Sequence, residues 1–234
     1  MGFYLHRKGE NSVNEEIQLI NLGFVNAFLL WAGDGYVLVD TGIAQQWDRL
    51  EKELLKAGCL PSKLKLVVIT HGDFDHTGNC AKLQKKYQAK IAMHDADTAM
   101  VKSGRPLKRQ THGLMAKLFQ LLGRRFSRGA SFETFQSDIL LQDGQSLGEY
   151  GLAAQIIHTP GHTKGSIAIL TETGHLVIGD TLSNRTRPDI APFIQDMQEL
   201  LESVVKLKRL KAVMVYPGHG KPFPFAALSS IAVR

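Results

Sequence analysis

Cysteine is scarce in this chain: Cys59 and Cys80 are its only two in 234 residues. Neither has a second cysteine at ligand spacing, which excludes a disulfide scaffold and a cysteine-built zinc site. Long apolar runs are missing as well. No stretch approaches the roughly 18 uninterrupted apolar residues of a membrane-crossing helix. Met1 to Glu16 is polar and has no apolar core of the kind a secretory signal carries. These absences predict a cytoplasmic protein with no transmembrane segment. No Gly-x-Ser-x-Gly elbow occurs, so nothing points to a serine nucleophile. No repeat, low-complexity tract or linker breaks the chain. Residues 1–234 are therefore expected to form a single α/β domain, large enough to bury a substantial core.

Acid is missing from one stretch. Between Val101 and Phe132 there is no Asp or Glu, against eight basic residues: Lys102, Arg105, Lys108, Arg109, Lys117, Arg124, Arg125 and Arg128. Without those eight, 20 basic residues face 22 acidic ones, so the formal +6 of the chain comes entirely from this segment. Leu114, Met115, Leu118, Phe119, Leu121 and Leu122 add an amphipathic helical pattern. Three readings stay open. The segment, about 101–132, is a lid that recruits an anionic or acyl-bearing substrate through His112, Arg124 and Arg125. It is a surface helix with solvated charge. Or it lies on a membrane surface. A nucleic-acid role ranks lower, because no aromatic stacking platform accompanies the charge.

The most informative stretch is Thr70-His71-Gly72-Asp73-Phe74-Asp75-His76-Thr77-Gly78. Four metal-competent side chains fall in six residues, directly after the buried-strand pattern Leu66-Val67-Val68-Ile69. The bland alternative is an ordinary polar loop in which Asp caps the next helix and His is solvated. Three later segments weigh against it: Thr159-Pro160-Gly161-His162, Ile178-Gly179-Asp180-Thr181 and Tyr216-Pro217-Gly218-His219-Gly220. Each follows an apolar run and presents one His or Asp beside glycine, which permits the tight turns that aim a side chain over a sheet edge.

In this combination and order the chain resembles the metallo-β-lactamase-fold hydrolase superfamily, from Leu38-Val39-Asp40-Thr41-Gly42 to Pro217-Gly218-His219-Gly220. The resemblance implies a four-layer αβ/βα sandwich with a dinuclear metal centre at one edge. It implies one site of His71, Asp73 and His162, a second of Asp75, His76 and His219, and Asp180 bridging them. Asp40 is implied as a buried residue beside the site. The family pattern opens His-x-His-x-Asp-His, whereas this chain has Asp73 at the second His. Flavodiiron proteins, a branch of the superfamily, carry Glu there and bind iron. Asp73 either ligates directly, ligates through water, or leaves its site weak. A third carboxylate beside Asp75 and Asp180 shifts preference from zinc towards iron or manganese, although zinc stays first in the expectation. Secreted β-lactamase activity is not implied, for want of a signal and of a cysteine ligand.

The implied mechanism is hydrolytic. A hydroxide shared by two divalent ions attacks a carbonyl or phosphoryl centre, with Asp75 and Asp180 as the catalytic carboxylates. The expected substrate is a small ester, thioester, lactone or related molecule. An iron-binding redox or sensing module is the alternative, and a phosphodiesterase or nuclease ranks below both. Asn184, which follows Asp180, is a further candidate for substrate contact. Oligomeric state is left open.

Periodicity predicts strands at about 16–20, 24–31 and 36–40, then at about 152–158, 166–171 and 175–179. It predicts a helix at about 44–57 with Trp47, Leu50, Leu54 and Leu55 on its stripe. A second at about 196–210 has Met197, Leu200, Leu201, Val204, Leu207 and Leu210. The apolar tail from Phe223 to Val233 is expected to dock on the sandwich. His94 is read either as facing the cleft or as a strand-end residue, His158 as a structural residue at a strand end or a support to the ligands, and His6 and His175 as solvent or turn residues.

Overall fold

The computed structural model describes residues 16–104, 110–111 and 133–232. The six-stranded sheet has the spatial order β1 (Ile17–Asn21), β2 (Asn26–Ala32), β3 (Gly35–Val39), β4 (Leu64–Val68), β5 (Ile91–His94) and β7 (Ile139–Leu141). Its first three strands form an antiparallel meander, and β3, β4, β5 and β7 run parallel. A short strand, β6 (Gln110–Thr111), lies outside it and pairs with β13 (Phe193–Ile194). The second sheet joins β8 (Ala154–His158), β9 (Ile167–Thr171), β10 (His175–Gly179), β14 (Met214–Pro217) and β15 (Phe223–Pro224). A two-residue ribbon pairs β11 (Leu182–Ser183) with β12 (Asp189–Ile190).

Strand alternation sorts the core into layers. In β3 and β4, Val37, Val39, Leu66 and Val68 face the second sheet and pack with Ile156, Ile167, Ile169 and Val177. Their neighbours Leu38, Val67 and Ile69 face the other way, onto α1 (Trp47–Lys56) and α3 (Cys80–Tyr87). A short helix after β5, α4 (Thr98–Ser103), adds Val101 to that layer. The outer face of the second sheet, with Leu176, Ile178 and Val215, is covered by Val204 and Leu207 of α5 (Met197–Lys208) and by the tail through Phe223, Leu228 and Ile231. Helix, sheet, sheet, helix is thus the layer order, as the resemblance implied.

Two stripes are narrower than periodicity suggested. On α1, Leu50 and Leu54 are buried but Leu55 is half exposed, because it is rotated about 100° from Leu54, off the face that meets the sheet. On α5, Leu200, Val204 and Leu207 are buried, and Ser203 occupies the fourth core-facing position. Its hydroxyl donates to Pro160 O at 2.7 Å, so this helix is fastened to the loop that carries His162. His175 is a correction: it lies within β10, partly buried, and its Nδ1 is 2.9 Å from the Tyr216 hydroxyl. The strand start at 175 is as expected; what differs from a solvent or turn residue is the partner, which comes from β14.

Candidate metal centre

All seven ligand-type residues stand at the same edge of the sandwich. His71 and Asp73 leave the end of β4. Asp75 and His76 occupy the single turn α2 (Phe74–Thr77). His162 lies between β8 and β9, Asp180 follows β10, and His219 follows β14. Asp73 Oδ2 is 3.3 Å from His71 Nε2 and 3.1 Å from His162 Nε2. Asp75 Oδ2 is 3.4 Å from His219 Nε2 and 4.0 Å from His76 Nε2. Asp180 reaches both groups. Its Oδ1 is 3.5 Å from His76 Nε2, and its Oδ2 is 3.1 Å from His219 Nε2 and 3.8 Å from His162 Nε2.

These spacings suit shared cations. Donors bound tetrahedrally at 2.0–2.2 Å stand roughly 3.3–3.6 Å from one another. A second observation agrees: His71 Nε2, His76 Nε2 and Asp180 Oδ1 are buried and make no hydrogen bond. A buried polar atom without a partner is costly, so three of them aimed at one place mark a position for an ion.

The other face of three of these imidazoles, His71, His76 and His219, is held. His76 Nδ1 donates to Asp40 Oδ2 at 2.8 Å. Asp40 is fully buried at φ 59°, and it also accepts the Thr70 backbone N–H at 2.8 Å and the Thr70 hydroxyl. Thr70 Oγ1 in turn lies 3.0 Å from His71 Nδ1. His219 Nδ1 donates to the Phe24 carbonyl. Because Nδ1 carries the proton in each of these pairs, Nε2 is left as the donor atom facing the cluster.

The electrostatics match. Burial pushes His76 down, but the Asp40, Asp180 and Asp75 carboxylates override it and raise its pKa to about 9. Burial likewise opposes charge on His219, which Asp180 and Asp75 raise well above the usual histidine range. Burial raises Asp180 and Asp75, yet the facing histidines hold both below the ordinary carboxylate value. The cluster is an anionic hole that proton or cation can fill.

Three residues position the site, and two of them, Asp97 and Asn26, escaped the sequence reading. Asp97, fully buried, accepts Gly72 N at 2.8 Å, Thr163 Oγ1 at 2.7 Å and Gly165 N at 2.9 Å. It ties the His71 loop to the His162 loop. Asn26 donates through Nδ2 to Pro217 O at 3.0 Å and Gly220 O at 2.8 Å, bracketing His219. Gly218 lets the chain pass: a Cβ there would collide with Asp180 Oδ1 and lie 2.7 Å from His76 Cε1. Gly218 was legible as a turn glycine. Asp97 follows the apolar run Ile91–Met93 much as Asp180 follows β10, but no glycine flags it.

The remaining candidates divide. Asn184 is beside the site, but its amide donates to Lys221 O at 2.8 Å and its backbone N–H to His219 O at 2.9 Å, so it braces the His219 loop. His94 and His158 stack face to face with centroids 4.1 Å apart. His6, His112, Arg124 and Arg125, with most of the 101–132 segment, lie outside the described residues.

Fold and cluster together define a metal-binding α/β sandwich of the hydrolase type. The metallo-beta-lactamase superfamily profile matches residues 20–219, and the chain belongs to that superfamily. It is 28% identical over 227 residues to the probable metallo-hydrolase YflN of Bacillus subtilis, covering 88% of this chain and 82% of the relative. A probable metallo-hydrolase of Methanocaldococcus jannaschii is 28% identical over 212 residues, covering 88% and 92%. Among solved structures, the BLEG-1 B3 metallo-beta-lactamase superposes with a TM-score of 0.73 at 20% identity, covering 92% of this chain and 96% of the other. A metallo-beta-lactamase family protein of Thermus thermophilus gives 0.69 at 22%, covering 94% and 79%. At these identities the structures speak for the fold alone.

Proposed function

We propose that this metal-dependent hydrolase cleaves a small carbonyl substrate: an ester, thioester, lactone or related molecule. The observation that carries the reading is the convergence of seven His and Asp side chains at 3.1–4.0 Å, with three buried donor atoms left without a hydrogen bond. His71, Asp73 and His162 would hold one divalent ion and Asp75, His76 and His219 a second, with the Asp180 carboxylate lying between the two groups. Divalent ions supply Lewis acidity and a water acidified towards neutral pH, so no protein nucleophile is required. Zinc, iron and manganese all suit this donor set, and the three carboxylates favour the harder ions.

The chain's own residues do the rest. Asp40, Thr70 and the Phe24 carbonyl fix the imidazole tautomers. Asp75, with a side chain 13% exposed, is open to entering water; it orients that water and carries a proton to the leaving group. Segment 101–132 acts as a lid. In support, β6 pairs with β13, and Gln195, next along, donates its backbone N–H to Gly161 O and His162 O. Gln110 and Thr111 therefore pair with the strand that leads to the His162 loop. Reversing Arg124 and Arg125 to Glu tests this through KM for an anionic substrate.

The test of the main reading is metal content together with turnover on a panel of lactones, thioesters, carboxyl esters and phosphodiesters. His162→Ala is expected to lose metal and activity together, and full metal content with full activity in that variant overturns the assignment. The three carboxylates also favour a second reading, an iron-binding redox or sensing module. A visible absorption band that responds to reductant, without turnover of any panel member, would select it.

A further inference from the structure

β5 and β8 belong to different sheets, yet their last residues meet. The His94 and His158 rings lie face to face, with centroids 4.1 Å apart and planes within 3° of parallel. Each ring is also hydrogen-bonded into a segment that shapes the metal cluster. Ala96 N donates to His94 Nδ1 at 3.2 Å, so His94 caps the turn Asp95–Asp97 that carries the Asp97 carboxylate. His158 Nε2 donates to Lys164 O at 2.9 Å, inside the loop that carries His162. Asp97 grips the same loop at Thr163 and Gly165. The stack therefore joins, from outside the cluster, the two segments that Asp97 straps together.

The end of β8 is pinned on two sides. His158 N donates to Asp143 Oδ1 at 2.7 Å, and Lys206 Nζ of α5 donates to His158 O at 3.0 Å and to Asp143 Oδ1 at 2.8 Å. The charged groups around the pair are thus Asp95 and Asp97 from the capped turn, Asp143 from the chain after β7, Lys206 from α5 and Lys164 from the His162 loop. His94 accepts from Ala96 only while Nδ1 is unprotonated. Burial and the facing His158 ring hold its pKa below the ordinary histidine value, against the pull of Asp97, Asp95 and Asp143.

We infer that His94 and His158 are positioning residues: their stacked rings clamp the Asp97 turn to the His162 loop, fix the geometry of the His71–Asp73–His162 group, and release it when His94 takes a proton. The consequence for metal rests on the metal-centre reading proposed above, whereas the clamp itself is measurable in metal-free protein. His94→Asn keeps an acceptor for Ala96 N and His158→Gln a donor for Lys164 O, so each removes a ring and retains a hydrogen bond. Gly72 N and Gly165 N, both bonded to Asp97, are the reporters. At pH 7 each variant is expected to lose about two- to tenfold of their protection against amide exchange, the worth of one aromatic pair. The double variant should lose no more than either single one, because one contact is lost once. In the unaltered protein the same protection should be complete above about pH 6.5 and fall as pH drops through the His94 titration, read from its ring resonances. Metal titration against a chelator should show a loss of affinity of similar size in both variants. Full protection in both single variants, additive losses in the double variant, or protection indifferent to the His94 titration would overturn the clamp. Lost protection with unchanged metal affinity would overturn its link to the metal group. Lost protection in a protein that binds no metal would reject the metal centre and keep the clamp.

Discussion

Asp97 touches no proposed ligand, yet its removal should disable the centre. Its Oδ2 accepts from Gly72 N and Thr163 Oγ1, and its Oδ1 from Gly165 N, at 2.7–2.9 Å in a fully buried setting. Hydrogen bonds to a charged acceptor contribute about 1.5–3 kcal/mol each, and a buried donor left without one costs about 1–3 kcal/mol. Asp97→Ala strands two backbone N–H groups and a hydroxyl, so a loss of about 3–5 kcal/mol is expected. For a chain of this size that lowers Tm by roughly 6–20 °C. Asp97→Asn offers little rescue, because in either amide orientation the new NH2 faces a donor. Gly72 and Thr163 adjoin His71 and His162, so the first metal group should loosen with the strap, by about 10- to 100-fold in affinity. Calorimetry of the metal-free variant and metal titration against a chelator measure the two effects separately. A Tm and a metal Kd both indistinguishable from the parent protein would refute the strap.

Asp73→His removes an anionic donor and adds a softer one. Loaded from an equimolar metal mixture, it should favour zinc over iron and manganese relative to the parent; unchanged preference places Asp73 outside the coordination shell. Gly218→Ala should abolish binding at the His76–Asp180 side while the fold survives, because the added methyl meets those two side chains rather than the core; circular dichroism with metal analysis checks both halves. In the metal-free protein, His76 has its folded pKa raised to about 9, so its stabilising contribution is complete below about 6.5 and lost as pH rises through about 9. Metal competes for the same cluster. Binding below pH 9 should release protons, and affinity should fall as pH falls, which calorimetry in buffers of different ionisation enthalpy will detect.

The residues that converge in the cluster were legible because each combines a chemical type with a local signal: His or Asp, after an apolar run, in a glycine-marked turn. The layers were legible for a similar reason, since a strand's two faces are written in its alternation. What binds the ligand loops together was not. Asp97 lies 25 residues from Gly72 and 66 from Thr163, and Asn26 lies 191 from Pro217. Such pairings exist only once the sheets have stacked, and nothing within a window of neighbours encodes them. The two-residue ribbons β6–β13 and β11–β12 are too short to carry a period. His175 stands where a strand was expected to begin, but the partner that takes its ring out of solvent, Tyr216, comes from a distant strand.

Asp73 shows how the structure separates two readings that share one local pattern. An Asp before a helical turn commonly caps it, accepting from the first free N–H groups, and that was the bland alternative for this loop. Here Asp73 occupies the position before α2 with extended backbone, at φ −70° and ψ 148°, but its side chain makes no capping bond. Its carbonyl does the local work, accepting His76 N at 2.9 Å, Thr77 N at 3.0 Å and the Thr77 hydroxyl at 2.8 Å. The carboxylate turns instead to His71 and His162. The short arm that put its reach in question is compensated by the backbone, which sets Cβ at the rim of the cluster. Capping would have kept the carboxylate on its own helix. Giving up that bond leaves a partly buried negative charge facing the His71 and His162 imidazoles, an arrangement that a divalent ion held between them, as proposed, would stabilise.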